Sequence, residues 1–326
     1  MATSQMAAPQ IKKRTPLEYA HLVKPLKIAA GPEGLYPEPR IWMYGKDMEG
    51  FNAHFTYGFI TAPTQCHPMQ GALVHPYDEC LVFVGTDNNN IKYLGAEISV
   101  VLGAEREEHR FNQPTVILIP KGLPHGPVTV KSVEKPIVHY AFGLAPEYKA
   151  TPVAAGPPTR GMIHSHLIRR MITSLDRPQD SSGMGYQDVL GPDGVLRPSE
   201  RGIGPGNGDQ IVWLYGKDLE GMNVNFTWGF YSKTGKWHRK GEAHTHPEEE
   251  ALVFVGLDPN DLNHLGSEHE MGLGLNYERH IFNKPTVVIA PKGFPHLPCI
   301  TRWADKPYGF FVLCLSGEHA SPWVEA

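Results

Sequence analysis

YGKDMEGFNAHFTYGF, Tyr44 to Phe59, returns as YGKDLEGMNVNFTWGF, Tyr215 to Phe230. The offset is 171 residues. It also carries Gly85 to Gly256, Leu94-Gly95 to Leu265-Gly266, and Pro136 to Pro307. FNQPTVILIPKGLPH, from Phe111, falls on FNKPTVVIAPKGFPH, from Phe282, by the same offset. One offset that holds without a gap over most of a domain length marks an internal duplication. The chain of 326 residues therefore divides into an N-terminal extension (1–40), a first domain (41–146), a connection (147–210) and a second domain (211–326).

Inside each copy, short apolar runs alternate with turn residues. In NVNFTWGFY, Val224, Phe226, Trp228 and Phe230 share one face at period two. LVFVG, VVLG, TVVIAP and GFFVLCL are β-branched or aromatic and are bounded by Gly, Pro or Asn. No long stretch of period 3.6 interrupts them, so each copy is expected to be an all-β sandwich or barrel. Two short helices are expected outside the copies. One starts at the Thr15–Glu18 capping box, and the other lies in SHLIRRMITSL of the connection.

The chemistry concentrates in the second copy, in GEAHTHPEEEALVFVG from Gly241. On an extended strand, residues two apart point the same way, so His244, His246 and Glu250 share a face. His296 follows a Pro-Gly turn in PKGFPHLP and sits on the next strand. Three imidazoles and a carboxylate form a partial shell for one divalent transition metal: Fe, Mn, Ni, Co, Cu or Zn. In the first copy His75, Glu79 and His125 occupy corresponding positions, but Leu73 stands where His244 would be. The first site is therefore expected to be degenerate. His67 and His238 correspond across the copies and are expected to line loops, with His238 the candidate to orient a ligand from behind. His109 and His280 also correspond and suggest no role. Glu248 and Glu249 read as solvated flank, and the four cysteines as small buried hydrophobes.

HxHxxxE followed by glycine, and then PxGxxH, resemble the two motifs of the cupin superfamily. The resemblance spans both copies and identifies the chain as similar to bicupins, whose domains are double-stranded β-helix jelly rolls. It implies a metal-dependent enzyme on a small oxygenated molecule (enol, keto or phenolic), with a dioxygenase as the leading reaction. A non-redox isomerase, lyase or hydrolase of a keto or sugar acid is the alternative, and a sensor with a structural metal is a third. Gentisate-type bicupins use three histidines and no glutamate, so Glu250 argues against them. Oxalate decarboxylases carry two complete sites, so Leu73 argues against that arrangement. Seed storage bicupins have largely lost the ligands that are kept here. Bicupins often self-associate, which implies a homo-oligomer.

Composition sets the remaining bounds. A formal charge of −4 gives no reason to expect nucleic acid or an anionic membrane as partner. No apolar run approaches a membrane span, and MATSQMAAPQIKKRTP lacks the apolar core of a secretory signal. A cytoplasmic protein with a small-molecule substrate is the expectation.

Overall fold

The computed structural model describes residues 17–171, 189–190, 196–197, 207–237, 243–322 and 324. Its strands form two antiparallel jelly rolls. In the first barrel, the larger sheet runs Ile168–Arg170, Thr115–Ile119, Glu79–Val84, Ile137–Gly143, His54–Ile60, Arg40–Met43, Ile28–Ala29. It faces a sheet in the order Thr151–Val153, Ala72–Val74, His125–Val133, Ala96–Leu102, Glu107–Phe111. The second barrel repeats the plan, with Val23–Pro25, Thr286–Ala290, Glu250–Gly256, Tyr308–Cys314, Asn225–Tyr231 and Gly208–Leu214 in its larger sheet. Gly235–Lys236, His296–Ala304, Ser267–Leu273 and Glu278–Phe282 form the sheet opposite.

The period-two pattern of NVNFTWGFY is real, yet every residue of Asn225–Tyr231 is buried. One face lines the barrel and the other packs on the first domain. Trp228 stacks on Tyr140 with ring centroids 5.6 Å apart, and Phe226 meets Phe142 edge-on. Phe311 stacks on Tyr140 at 4.6 Å and takes the edge of Phe55 at 5.4 Å. The Tyr57 hydroxyl donates to the Gly256 carbonyl at 2.7 Å, which satisfies a buried polar group across the seam. The larger sheets thus meet back to back through aromatic side chains, each of which removes a large apolar area from water. Gly256 and Gly85 end equivalent strands where another chain segment crosses. A Cβ would stand 1.9 Å from the His264 oxygen and 2.1 Å from the Tyr93 oxygen respectively, so only glycine fits.

The two expected helices are replaced by strands. Thr15 and Pro16 lie outside the described residues. After them comes a single 3₁₀ turn, Ala20–Leu22, and then Val23–Pro25. SHLIRR likewise forms a 3₁₀ turn, Ser165–Leu167, followed by Ile168–Arg170; residues 172–175 of that expected helix lie outside the described residues. The reason is the open sheet edge. A short isolated helix is marginal, whereas β-branched Val23 and Ile168 gain a full ladder of hydrogen bonds on a strand. Each arm docks at an edge: Val23 opposite Val288 of the second barrel, and Ile168 opposite Ile117 of the first. The arms are held alike. Glu278 accepts hydrogen bonds from the Glu18 and Tyr19 amides, and Glu107 from those of Ile163 and His164. His280 and His109 pair with these glutamates, a structural part that the sequence reading did not assign.

Candidate metal centres

Strand geometry brings the four second-barrel residues together. His244 bridges to His296 through paired backbone hydrogen bonds of 3.1 Å, so their side chains leave neighbouring chain segments on the same face. Glu250 opens its strand one turn beyond His246. The candidate ligand atoms of His244, His246, Glu250 and His296 all lie within 4.8 Å of one another, and all four residues are buried. Nε2 of His246 is 3.2 Å and Nε2 of His296 3.1 Å from Oε2 of Glu250. Donors about 2.1 Å from one ion stand roughly 3–3.4 Å apart at adjacent coordination positions, so these spacings match a common ion.

The first barrel holds a second cluster: His67, His75, Glu79 and His125. Leu73 does stand opposite His125, as His244 stands opposite His296. The lost imidazole is nevertheless supplied by His67, six residues earlier. Its Nε2 reaches Oε2 of Glu79 at 3.0 Å; His75 and His125 stand 3.2 and 3.6 Å from the same oxygen. The expectation that His67 lines a loop is therefore corrected, and with it the argument from Leu73 against two full donor sets. A signal was present, since His67 lies six residues ahead of Leu73 and corresponds to His238 of the second copy. What the spacing lacked was the fold of Thr64–Cys66 onto Val128–Val130, which carries His67 inward. His238, the corresponding residue of the second copy, lies outside the described residues. Cys299 is not among the grouped donors, and Glu248 and Glu249 are half-exposed, as a solvated flank should be. The four cysteines are buried and free.

The hydrogen bonds behind the rings fit a metal. Nδ1 of His75 lies 2.7 Å from the Lys149 carbonyl, and that of His125 3.1 Å from Leu123. In the second barrel Nδ1 of His246 lies 2.9 Å from the Ala320 carbonyl, and that of His296 3.2 Å from Phe294. A carbonyl only accepts, so each Nδ1 carries the proton and each Nε2 is left with a bare lone pair turned inward. These four Nε2 atoms are buried and make no hydrogen bond among the described residues, and neither does Oε2 of Glu250. Orphaned buried acceptors that converge are costly unless a cation joins them. The donors, nitrogen with one carboxylate, suit a divalent transition metal.

Charge in the metal-free protein settles accordingly. Burial alone would raise Glu79 and Glu250. The facing imidazoles outweigh it and hold both carboxyls well below their usual range. Burial would lower His246, but the negative charge of Glu250 beside it raises it on balance. His125, fully enclosed, is pushed down to about 3.

The surroundings of the two clusters differ at the outer end. Tyr77 stacks on His75, and Tyr148 stands edge-on to it. In the second copy His319 replaces Tyr148, with its ring 4.6 Å from that of His246, and Gly317 replaces Pro146. A cavity of about 490 Å³ opens there, lined by Tyr215, Lys217, Met222, Asn223, Gly317 and His319.

No family model and no curated protein sequence matches the chain. Solved structures do. A deletion mutant of Bacillus subtilis oxalate decarboxylase superposes with a TM-score of 0.58 at 9% identity, covering 97% of this chain and 82% of that one. The same enzyme at pH 4.6 gives 0.55 at 12% identity, covering 92% and 78%. A structure of it described through its Mn(II) centres gives 0.56 at 12% identity, covering 97% and 82%. Among the described residues, no helix is long and apolar enough to cross a membrane. The duplicated jelly rolls, the paired donor clusters and the likeness along nearly the whole chain make this protein a bicupin in fold.

Proposed function

We propose that the chain is a metal-dependent enzyme that acts on a small oxygenated acid, with a divalent transition metal held by His244, His246, Glu250 and His296 and another by His67, His75, Glu79 and His125. The observation that carries this reading is the inward convergence of orphaned Nε2 atoms on a buried carboxylate, repeated in both barrels. A divalent ion in either site supplies Lewis-acid polarisation of a substrate oxygen. One carboxylate leaves one net positive charge in a buried setting, and a carboxylate or enolate ligand neutralises it. The anionic substrate class follows from that balance. It agrees with the neighbours' activity on oxalate, and their Mn(II) centres support manganese as a metal to try first. Fold alone does not transmit a reaction, so the donor set and charge carry the argument.

The chain's own residues have definable parts. Glu79 and Glu250 carry the negative charge, backbone carbonyls hold His75, His125, His246 and His296 in one tautomer, and Tyr77, Tyr148 and His319 crowd the sites. A lyase-type cleavage beside a carboxylate is the first reading. A dioxygenase is the second, favoured by the aromatic wall of Trp42, Tyr44, Tyr77 and Tyr148, which suits a planar enolic or phenolic substrate. Manganese-loaded protein offered oxalate, 2-oxo acids and catechols, with oxygen uptake and carbon dioxide release followed together, tests both. Metal-dependent turnover without oxygen uptake supports the lyase, and stoichiometric uptake supports the dioxygenase. Absence of turnover with every metal and substrate class overturns the enzymatic reading.

A further inference from the structure

Behind His67 lies a run of buried hydrogen bonds that the described residues of the second barrel do not repeat. Nδ1 of His67 is 3.0 Å from the Tyr36 hydroxyl, that hydroxyl is 2.9 Å from Nε2 of His139, and Nδ1 of His139 is 3.0 Å from the Val82 carbonyl. All three side chains are buried. The Arg40 guanidinium lies 3.8 Å over the Tyr36 ring and donates to the His139 carbonyl. His139 itself is stacked flat on Phe83 at 4.2 Å.

The direction of this run is fixed from its far end. The Val82 carbonyl can only accept, so His139 Nδ1 carries a proton. His139 is fully buried and receives the Arg40 guanidinium at its own carbonyl, a setting that disfavours a second positive charge and leaves its Nε2 as an acceptor. Tyr36 has a single proton and must donate it there. Its oxygen then accepts from His67 Nδ1–H. The remaining nitrogen, Nε2 of His67, is thereby the one turned to the Glu79 carboxylate, 3.0 Å away and within hydrogen-bond distance. A carboxylate only accepts, so this nitrogen meets it through a shared proton or through a metal ion that takes the proton's place.

We infer that Tyr36 and His139 are positioning residues that fix the tautomer and angle of His67, so that a ligand from outside the HxH segment completes the first metal site. His75, His125, His246 and His296 are oriented by a backbone carbonyl. His67 is held instead by a run of side chains, because it follows the short strand Thr64–Cys66 and stands outside the segment that carries Leu73 and His75. At the corresponding positions of the second copy stand Asn207 and Phe310. Asn207 bonds Thr301 and the Lys233 carbonyl, and Phe310 has no polar side-chain atom, so these two described residues cannot form the same relay. The two barrels would then bind the same ion with unlike affinity and unlike electronic surroundings.

This inference rests on the first cluster binding metal, and the test separates the two. Zn(II) affinity at each site is measured by chelator competition on the full chain, with His246→Ala used to isolate the first site. Tyr36→Phe should weaken the first site about ten- to a hundredfold and leave the second unchanged. It should also shift the visible spectrum of Co(II) bound in the first site. ¹⁵N NMR of Zn(II)-loaded wild type should show His67 with a protonated Nδ1 and a metal-bound Nε2, a result that does not depend on how any variant folds. Zn(II) uptake by wild type with Tyr36→Phe matching it, or with Nε2 of His67 protonated, overturns the relay alone. No uptake at the first site in wild type overturns the metal reading together with it.

Discussion

Nε2 of His67, just past the strand Thr64–Cys66, lies 3.0 Å from Oε2 of Glu79, twelve residues later at the start of the strand Glu79–Val84. That contact places a third imidazole in the first barrel without the HxH pair that supplies it in the second. The position in front of His125 is taken by Leu73, and the position in front of His296 by His244. One donor set is thus reached by two routes.

The routes should be exchangeable. His67→Ala is expected to abolish metal binding at the first site. Adding Leu73→His to that variant should restore it, because residue 73 faces His125 in the register that brings His244 to His296. Zn(II) titration of the single and double variants checks this; a double variant as weak as the single one refutes the equivalence of the two routes.

The seam between barrels should be energetically central. Phe311 is fully buried between Tyr140, Tyr57 and Phe55. Phe311→Ala is expected to cost about 3–5 kcal/mol, as large cavities in a core do. Denaturant unfolding followed by fluorescence measures it. A loss under about 1 kcal/mol would mean that the seam collapses to fill the hole, and that it is looser than this packing indicates.

Acid should destabilise the metal-free protein before its carboxylates protonate. His125 and His269 are pushed down to about 3 by burial, and His139 lies well below its ordinary value. Each is neutral when folded and protonates near pH 6.5 when unfolded, so the unfolded state binds more protons as pH falls below that point. Stability should fall by roughly 1.4 kcal/mol per pH unit for each such group. His246, whose value is raised, acts in the opposite window: its contribution is complete below pH 6.5 and fades at higher pH. Urea unfolding between pH 6.5 and 4.5 in the presence of chelator should show the decline, and a flat profile contradicts it.

Metal should reverse that preference. Imidazole must shed its proton to coordinate, so the stabilisation gained from added Mn(II) or Zn(II) should grow from pH 5 to pH 8. The increment in Tm on metal addition, read at each pH, is the check. An increment independent of pH would mean that the ion binds elsewhere.

Much of this was legible beforehand. The single 171-residue offset shows the duplication, and the HxHxxxE spacing marks His244, His246 and Glu250 as a group, although a bend at 247–248 rather than one continuous strand brings Glu250 to the two histidines. His67 was not legible, because its approach depends on a non-local pairing, Thr64–Cys66 on Val128–Val130, that sequence spacing cannot encode. The two arms were misread for a related reason. AHLVKP and SHLIRR have acceptable helical signals locally, but the unpaired sheet edges at Thr286–Ala290 and Thr115–Ile119 offer more hydrogen bonds than a three-residue turn can. His109 and His280 carried no motif, and their partners Glu107 and Glu278 matter only because an arm docks above them.

The most direct measurement is metal content per chain, by elemental analysis, of protein purified without added metal and then dialysed against excess Mn(II). Two ions per chain in wild type, one in His246→Ala and one in His67→Ala is the result that follows from two independent clusters. A chain that holds no tightly bound ion under these conditions, with both variants indistinguishable from it, would contradict the account.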